Sequence, residues 1–139
     1  MTKTTKQPLL DTHIWVWWML GDSRLPARER TALDDLPSRQ RPRLCDISLW
    51  EVAMLVQLGR LRIDDSLEDW LRIAASPATV EVIPISPAVV AEMNRLPATF
   101  HQDPADRLIV ATARAGGLPL ATHDARIRRS RQASLWSAG

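Results

Sequence analysis

Short apolar segments alternate along this chain with longer segments that have the apolar periodicity of helices. This alternation is typical of βαβ units, which build a mainly parallel sheet with helices on both faces. We therefore expect an α/β fold and, at 139 residues without an internal repeat, a single domain over residues 1–139. The predicted strands lie at 8–10, 43–47, 79–85 and 118–121, with a further possible strand at 133–136.

The segment from Asp103 to Gly117 predicts one helix whose two ends are both marked in the sequence. Asp103 is a residue type that caps helix N-termini, and the glycine pair at the other end tolerates the left-handed conformation of a C-terminal cap. The strand at 118–121 follows, and Asp124 comes shortly after it. Ligand sites in parallel α/β sheets lie at the carboxyl ends of the strands. Asp106, in the first turn of the helix, and Asp124 are therefore expected at the same edge.

Two further carboxylates are predicted at that edge. Asp11 ends the strand at 8–10 and begins a helix that Gly21 ends. Glu51 lies in the first turn of a helix that we expect Ser48 to cap, because the two residues have capping-box spacing. Each of these acids could instead serve only to cap a helix or to oppose its dipole, an effect of ~0.3–1 kcal/mol.

A cluster of four carboxylates, Asp11, Glu51, Asp106 and Asp124, has a chemical consequence. Carboxylates brought close together repel one another, which raises their pKa values unless a cation neutralises them. Hard oxygen ligands in a half-open cluster suit Mg²⁺ or Mn²⁺, which keep several waters and bind phosphate oxygens. One or two such ions can activate water for in-line attack on a phosphodiester. The sequence thus predicts a divalent-metal site suited to attack on a phosphodiester.

Four segments in this order resemble the PIN domain, and most of all the VapC-type toxins of bacterial toxin–antitoxin pairs. The resemblance covers a core of about residues 8–137 and is carried by the segments 11–18, 48–61, 101–113 and 120–124. It implies a three-layer αβα sandwich with a central, mainly parallel sheet. It also implies a Mg²⁺- or Mn²⁺-dependent endoribonuclease that forms cytoplasmic homodimers and is inhibited by a small cognate antitoxin.

The resemblance also implies roles for individual residues. Asp11 and Asp106 are expected as direct metal ligands, and Glu51 and Asp124 as ligands, directly or through water, or as groups that orient the attacking water. The family's hydroxyl near the last acid corresponds to Thr122, which is expected to support the metal site from behind.

The sequence also suggests roles for several arginines, the histidines and the single cysteine. Arg107, next to Asp106, is expected to form an ion pair or to contact phosphate. The arginines near the C-terminus could bind phosphates, although a solvated helix face explains them nearly as well. The three histidines come from different segments without metal-ligand spacing. The lone Cys45 is expected to be a small buried residue, and it suits a reducing cytosol. The arginines are Arg126, Arg128, Arg129 and Arg131, and the histidines are His13, His101 and His123.

The same residues bear on other functions that this architecture can have. A receiver domain needs a lysine after a late strand, and the chain has lysines only at Lys3 and Lys6. A dinucleotide-binding fold needs a glycine-rich turn after the first strand, where this chain has Asp11-Thr-His. A catalytically silent PIN-like binding module and a DNA-acting nuclease of the same chemistry remain as alternatives. No segment is long and apolar enough for a membrane helix, and no secretory signal is recognised, so we expect a cytoplasmic protein without a membrane partner.

Overall fold

A computed structural model describes residues 7–139, in which short strands alternate with helices as the sequence predicts. The lysines Lys3 and Lys6 lie outside the described residues. The strands are β1 (Leu9–Leu10), β2 (Arg43–Cys45), β3 (Glu81–Ile83) and β4 (Leu120–Ala121). The helices are α1 (Thr12–Leu20), α2 (Ala27–Asp34), α3 (Ile47–Gln57), α4 (Leu67–Ala74), α5 (Pro87–Arg95), α6 (Pro104–Gly116) and α7 (Ala125–Ser130).

The strands within residues 7–139 form one parallel sheet in the order β3-β2-β1-β4. Leu9 of β1 pairs with Arg43 on one side and with Leu120 on the other, so β1 lies inside the sheet. The possible strand at 133–136 is reduced to a single parallel bridge between Leu120 and Leu135. Because β1 and β4 are neighbours and run in the same direction, the residues that follow them emerge side by side at one edge.

Helices cover both faces of the sheet, which confirms the expected three-layer αβα arrangement. Successive residues of a strand point to opposite faces, and Leu10 accordingly belongs to one buried cluster while Leu9 belongs to another. The first cluster contains residues of α1, α2, α3 and α4, and the second contains residues of α6 and α7. Cys45 is fully buried in the second cluster, as expected. No helix among the described residues is long and apolar enough to cross a membrane.

Most of the predicted helix ends are confirmed. Asp11 accepts a hydrogen bond from the backbone of α1, and Gly21 ends this helix in the left-handed conformation with φ of 65°. Asp103 caps α6 by accepting from the Asp106 N–H, and Gly117 ends it with φ of 60°. The caps matter for function because two of them position the acids that begin α1 and α6.

The expected cap at Ser48 is wrong. Helix α3 begins at Ile47, its N-cap position is Asp46, and β2 ends at Cys45 instead of continuing to residue 47. Ser48 is completely buried inside the helix, and its hydroxyl lies 2.8 Å from the Thr12 hydroxyl. A buried hydroxyl needs a hydrogen-bond partner, and here the partner comes from another helix and not from the backbone of its own. Ser48 therefore connects α3 to α1.

Candidate active site

Asp11 is the first residue after β1, and it is almost fully buried with 3% of its surface exposed. Its Oδ1 accepts a hydrogen bond from the Thr12 N–H at 2.8 Å, and its Oδ2 accepts one from the Thr122 hydroxyl at 2.7 Å. Thr122 follows β4, and its hydroxyl oxygen accepts in turn from the Asp124 N–H at 3.0 Å. A buried Asp–Thr pair thus joins the ends of two adjacent strands and fixes the orientation of the Asp11 carboxylate.

Glu51 reaches the same place from α3. The Thr12 hydroxyl donates a hydrogen bond to Glu51 Oε1 and also contacts the Ser48 hydroxyl. Thr12 is itself 4% exposed and directly follows Asp11 in the chain. Thr12 therefore holds both acids: its backbone N–H binds Asp11, and its side-chain hydroxyl binds Glu51.

Asp106 and Asp124 complete the group from the other side. Asp106 Oδ2 lies 2.7 Å from His101 Nε2, and Asp124 Oδ1 accepts hydrogen bonds from the first turn of α7, from Arg126 N at 2.9 Å and Ile127 N at 3.0 Å. The Arg126 guanidinium lies 3.7 Å from a carboxylate oxygen of each acid. Both acids therefore have a partner that neutralises part of their charge.

All four predicted acids line one open cavity of about 250 Å³. They come from segments that are far apart in the chain, and the parallel sheet brings them together at the carboxyl ends of its strands. The cavity is also lined by His13 and Trp17 of α1 and by the arginines Arg24 and Arg60. The structure therefore places Asp11, Glu51, Asp106 and Asp124 in one site, with Thr122 directly behind Asp11.

Arg107 does not join this group. Its guanidinium donates to the backbone carbonyls of Phe100 and His101, and its Cζ lies 5.9 Å from the centre of the Phe100 ring. No carboxylate within residues 7–139 forms an ion pair with it, so the expected ion pair with a neighbouring acid is not formed. The physical reason is that the loop before α6 leaves carbonyl groups near the helix, and the guanidinium satisfies them. Arg107 therefore supports the loop that carries His101.

Burial and mutual repulsion shift the pKa values of the acids upward. Burial raises the pKa of Asp11 from 3.8 to about 7; repulsion from Asp106 and Asp124 adds to the increase, and the Thr122 hydrogen bond opposes it. Burial also raises the pKa of Glu51 from 4.5 to about 7, opposed by the Thr12 hydrogen bond and reinforced by Asp11. The pKa of Asp106 is raised by burial as well, while its His101 partner acts in the opposite direction. These carboxyl groups are therefore harder to ionise than carboxyl groups in water.

These side chains fit a divalent cation by donor type and by charge. Carboxylate oxygens are the ligands that Mg²⁺ and Mn²⁺ prefer, and a cation would stabilise the ionised carboxylates that burial and repulsion disfavour. Within residues 7–139, no group of three or more His, Cys, Asp or Glu side chains is already arranged to hold a metal ion. Each carboxylate is held instead by its own hydroxyl, imidazole, amide or guanidinium partners. The donors are present, and the ligand group is not preassembled.

The site also contains residues that the sequence analysis did not assign to it. His13 Nδ1 lies 3.4 Å from Asp11 Oδ2, and His13 Nε2 accepts a hydrogen bond from the His123 backbone N–H at 3.0 Å. Burial lowers the pKa of His13 from 6.5 to about 4, and the nearby His123 acts in the same direction. His101 is bound to Asp106. Each histidine lies next to a segment that carries an acid, and this proximity in the sequence was the available signal.

Comparisons with known proteins agree with this description. The family model described as PIN domain matches residues 9–132. The chain is 35% identical over 123 residues to Ribonuclease VapC22 of Mycobacterium tuberculosis, which covers 88% of this chain and 91% of that protein. It resembles a chain of VapBC2 from Rickettsia felis, solved bound to a DNA fragment from their promoter, with a TM-score of 0.68 at 19% identity, covering 92% of this chain and 96% of that one. A toxin–antitoxin complex from Klebsiella pneumoniae gives a TM-score of 0.66 at 20% identity, covering 96% and 98%.

Proposed function

The chain belongs to the PIN domain family, and from this premise we propose that it is a divalent-metal-dependent endoribonuclease, the toxin of a toxin–antitoxin pair. The observation that carries the proposal is the convergence of four carboxylates, from four separate segments, in one cavity. A purely structural scaffold has no need for such a cluster, because buried acids that repel one another destabilise the fold. The ribonuclease name of the Mycobacterium tuberculosis relative supports RNA as the substrate.

In this proposal Asp11 and Asp106 bind the metal directly, and Glu51 and Asp124 bind it directly or through water. A bound Mg²⁺ or Mn²⁺ would supply a water of lowered pKa and would stabilise the negative charge that develops on the phosphate. Thr122 keeps Asp11 in a single orientation through its hydroxyl, and Thr12 does the same for Glu51. A Glu51 carboxylate that contacts the metal through water would be placed to orient the attacking water and to accept its proton.

Partner and location belong to the proposal too. The likeness to a toxin–antitoxin complex supports a small antitoxin protein as the inhibitor, and the family supports a homodimer that acts in the cytoplasm. An exposed apolar strip on α3 and its C-terminal cap residue borders the site, with Trp50 at 53% and Leu58 at 57% exposed. Exposed side chains of this size are typical of surfaces that contact another protein.

The test is cleavage of end-labelled total RNA by antitoxin-free protein in Mn²⁺ or Mg²⁺. Wild type, Asp11→Asn and the surface control Asp65→Asn are compared, with and without EDTA. We expect discrete fragments from wild type and from Asp65→Asn, and none from Asp11→Asn or in EDTA. Equal cleavage by all three proteins would indicate a contaminating nuclease. Cleavage of single-stranded DNA alone would favour the DNA-acting alternative, and no cleavage of either by folded protein would favour a silent binding module.

A further inference from the structure

A second cavity lies next to the acidic one and is lined by arginines. It has a volume of about 350 Å³, and its walls come from the loop before α6 and from α7 with the nearby Gln132. None of the lining residues, all within 7–139, is acidic. Six of them are Thr99, Phe100, His101, Arg126, Arg129 and Gln132. We call this the arginine cavity.

The arginine cavity and the acidic site share a border. Arg126 lines the arginine cavity, and its guanidinium lies 3.7 Å from both Asp106 Oδ2 and Asp124 Oδ2. His101 lines the arginine cavity as well and contacts Asp106 from the same side at 2.7 Å. A polymer lying across Asp106 and Asp124 would therefore enter the arginine cavity directly.

The two cavities have opposite charge, and this difference indicates what each can bind. The acidic site repels phosphate unless a cation is present, whereas guanidinium groups bind phosphate oxygens through paired N–H donors. The Arg126 side chain is 57% exposed, and both of its carboxylate contacts are longer than hydrogen bonds, so a phosphate can take their place. Arg129 is exposed, and within residues 7–139 it has no salt-bridge partner.

The neighbouring arginines differ from this pair. Arg128 turns back onto the fold, where its Nη1 donates to the Thr122 carbonyl at 2.9 Å. Arg131 ends α7 in the left-handed conformation and is not among the residues that line the cavity. Of the four C-terminal arginines, only Arg126 and Arg129 line the arginine cavity. Arg131 has the same charge and does not line the cavity, so its substitution is a control for the loss of charge alone.

We propose that the arginine cavity is a substrate subsite, in which Arg126 and Arg129 bind a backbone phosphate of the RNA that neighbours the scissile phosphate. This inference rests on the proposed ribonuclease function and extends it, because it assigns the direction in which the strand leaves the acidic site. Arg126 and Arg129 are positioning residues in this account. They hold the strand in register and take no part in bond breaking.

The experiment measures binding of fluorescent single-stranded RNA to the Asp11→Asn protein, which keeps the substrate intact. Arg129→Gln and Arg131→Gln are added to it separately, since each removes one positive charge and keeps a polar side chain. We expect Arg129→Gln to weaken binding about tenfold and to reduce the slope of log affinity against log salt by about 0.7, the value for one phosphate contact with single-stranded nucleic acid. Arg131→Gln should leave both quantities nearly unchanged.

A methylphosphonate scan tests the location. A series of RNAs each carries a single uncharged methylphosphonate at a different position around the mapped cut site. At one position next to the cut site, the methylphosphonate should weaken binding to the Asp11→Asn protein. The same RNA should bind the Asp11→Asn, Arg129→Gln protein no more weakly than unmodified RNA does. Equal affinities of the Arg129→Gln and Arg131→Gln proteins for RNA would overturn the inference. Loss of antitoxin binding by Arg129→Gln with unchanged RNA binding would also overturn it, because it would assign the cavity to an acidic peptide.

Failure of the proposed ribonuclease function can be distinguished from failure of the proposed subsite. If wild type does not cleave RNA in Mn²⁺, the ribonuclease assignment itself fails, whatever the arginine variants do. If wild type cleaves RNA and Arg129→Gln cleaves it with the same KM and kcat, only the subsite fails. Thermal unfolding of each variant accompanies the assays, and an unchanged Tm is expected for an exposed side chain.

Discussion

The replacement Asp11→Asn is expected to stabilise the metal-free protein while it abolishes cleavage. Moving the pKa of Asp11 from 3.8 to about 7 corresponds to about 4 kcal/mol at ~1.36 kcal/mol per pKa unit. This is the extra free energy of ionising the buried carboxyl in the folded protein above pH 7. Asparagine has the shape of the protonated acid and carries no charge. Its carbonyl can accept from the Thr12 N–H, and its amide can donate to the Thr122 hydroxyl oxygen.

The stability that Asp11→Asn gains over wild type depends on pH, and its sign follows from the upward shift of the Asp11 pKa. A carboxyl group whose pKa is raised by folding contributes stability that is complete below its unfolded pKa and is lost as pH rises through the folded pKa. Wild type therefore loses the contribution of Asp11 between about pH 4 and pH 7, and Asp11→Asn does not. Allowing about 1 kcal/mol for the imperfect fit of the amide, we expect a gain of about 3 kcal/mol at pH 8 and about 1 kcal/mol at pH 5.5.

The assay is urea unfolding in EDTA at pH 5.5 and pH 8, followed by tryptophan fluorescence. Because the Asp11 charge also raises the pKa of Glu51, the difference between the two proteins reports Asp11 together with its repulsion of Glu51. Asp65→Asn, at an exposed position, is the matched control and should differ from wild type by less than about 0.5 kcal/mol. An Asp11→Asn protein that is no more stable than wild type at pH 8 would refute the electrostatic reasoning.

Three further predictions follow from individual contacts. Thr122→Val removes the hydroxyl that orients Asp11 and should weaken Mn²⁺ binding about 10- to 100-fold in calorimetry, while Thr122→Ser should retain it; equal affinity of the valine variant would contradict this role. Trp15→Phe removes the buried donor to the Ala74 carbonyl and should lower the free energy of unfolding by about 2–4 kcal/mol, and a loss below about 1 kcal/mol would be evidence against it. Mn²⁺ should raise the Tm more at pH 8 than at pH 6, because protons compete for Asp11 and Glu51 below their pKa of about 7; equal increases would disagree with these pKa values.

The sequence predicted the fold because its signals are local. Alternating strand and helix patterns, the Asp103 cap and the glycine ends are each readable within a few residues, and all four strands are found within residues 7–139. The parallel sheet then follows from the handedness and length of the connections. The same reasoning put the four acids at one edge, because a parallel sheet collects its strand ends there.

What the sequence could not predict depends on contacts between distant segments. The pairing of Ser48 with Thr12 crosses from α3 to α1, so a local capping pattern gave the wrong role for Ser48. Asp46 also follows a strand, yet its carboxylate accepts from the Ile85 N–H near the sheet edge and does not line the acidic cavity. Whether an acid at a strand end faces the site is decided by such hydrogen bonds, which have no signature in the local sequence.

The position of the metal tests the central claim most directly. Crystals of the full chain soaked in Mn²⁺ and measured at the manganese absorption edge give the ion's location independently of any activity. We expect an anomalous peak in the acidic cavity in contact with carboxylate oxygens of Asp11 and Asp106, and no such peak in Asp11→Asn. A strong peak elsewhere, with the acidic cavity empty at saturating Mn²⁺, would contradict the claim that these carboxylates form a metal-dependent nuclease centre.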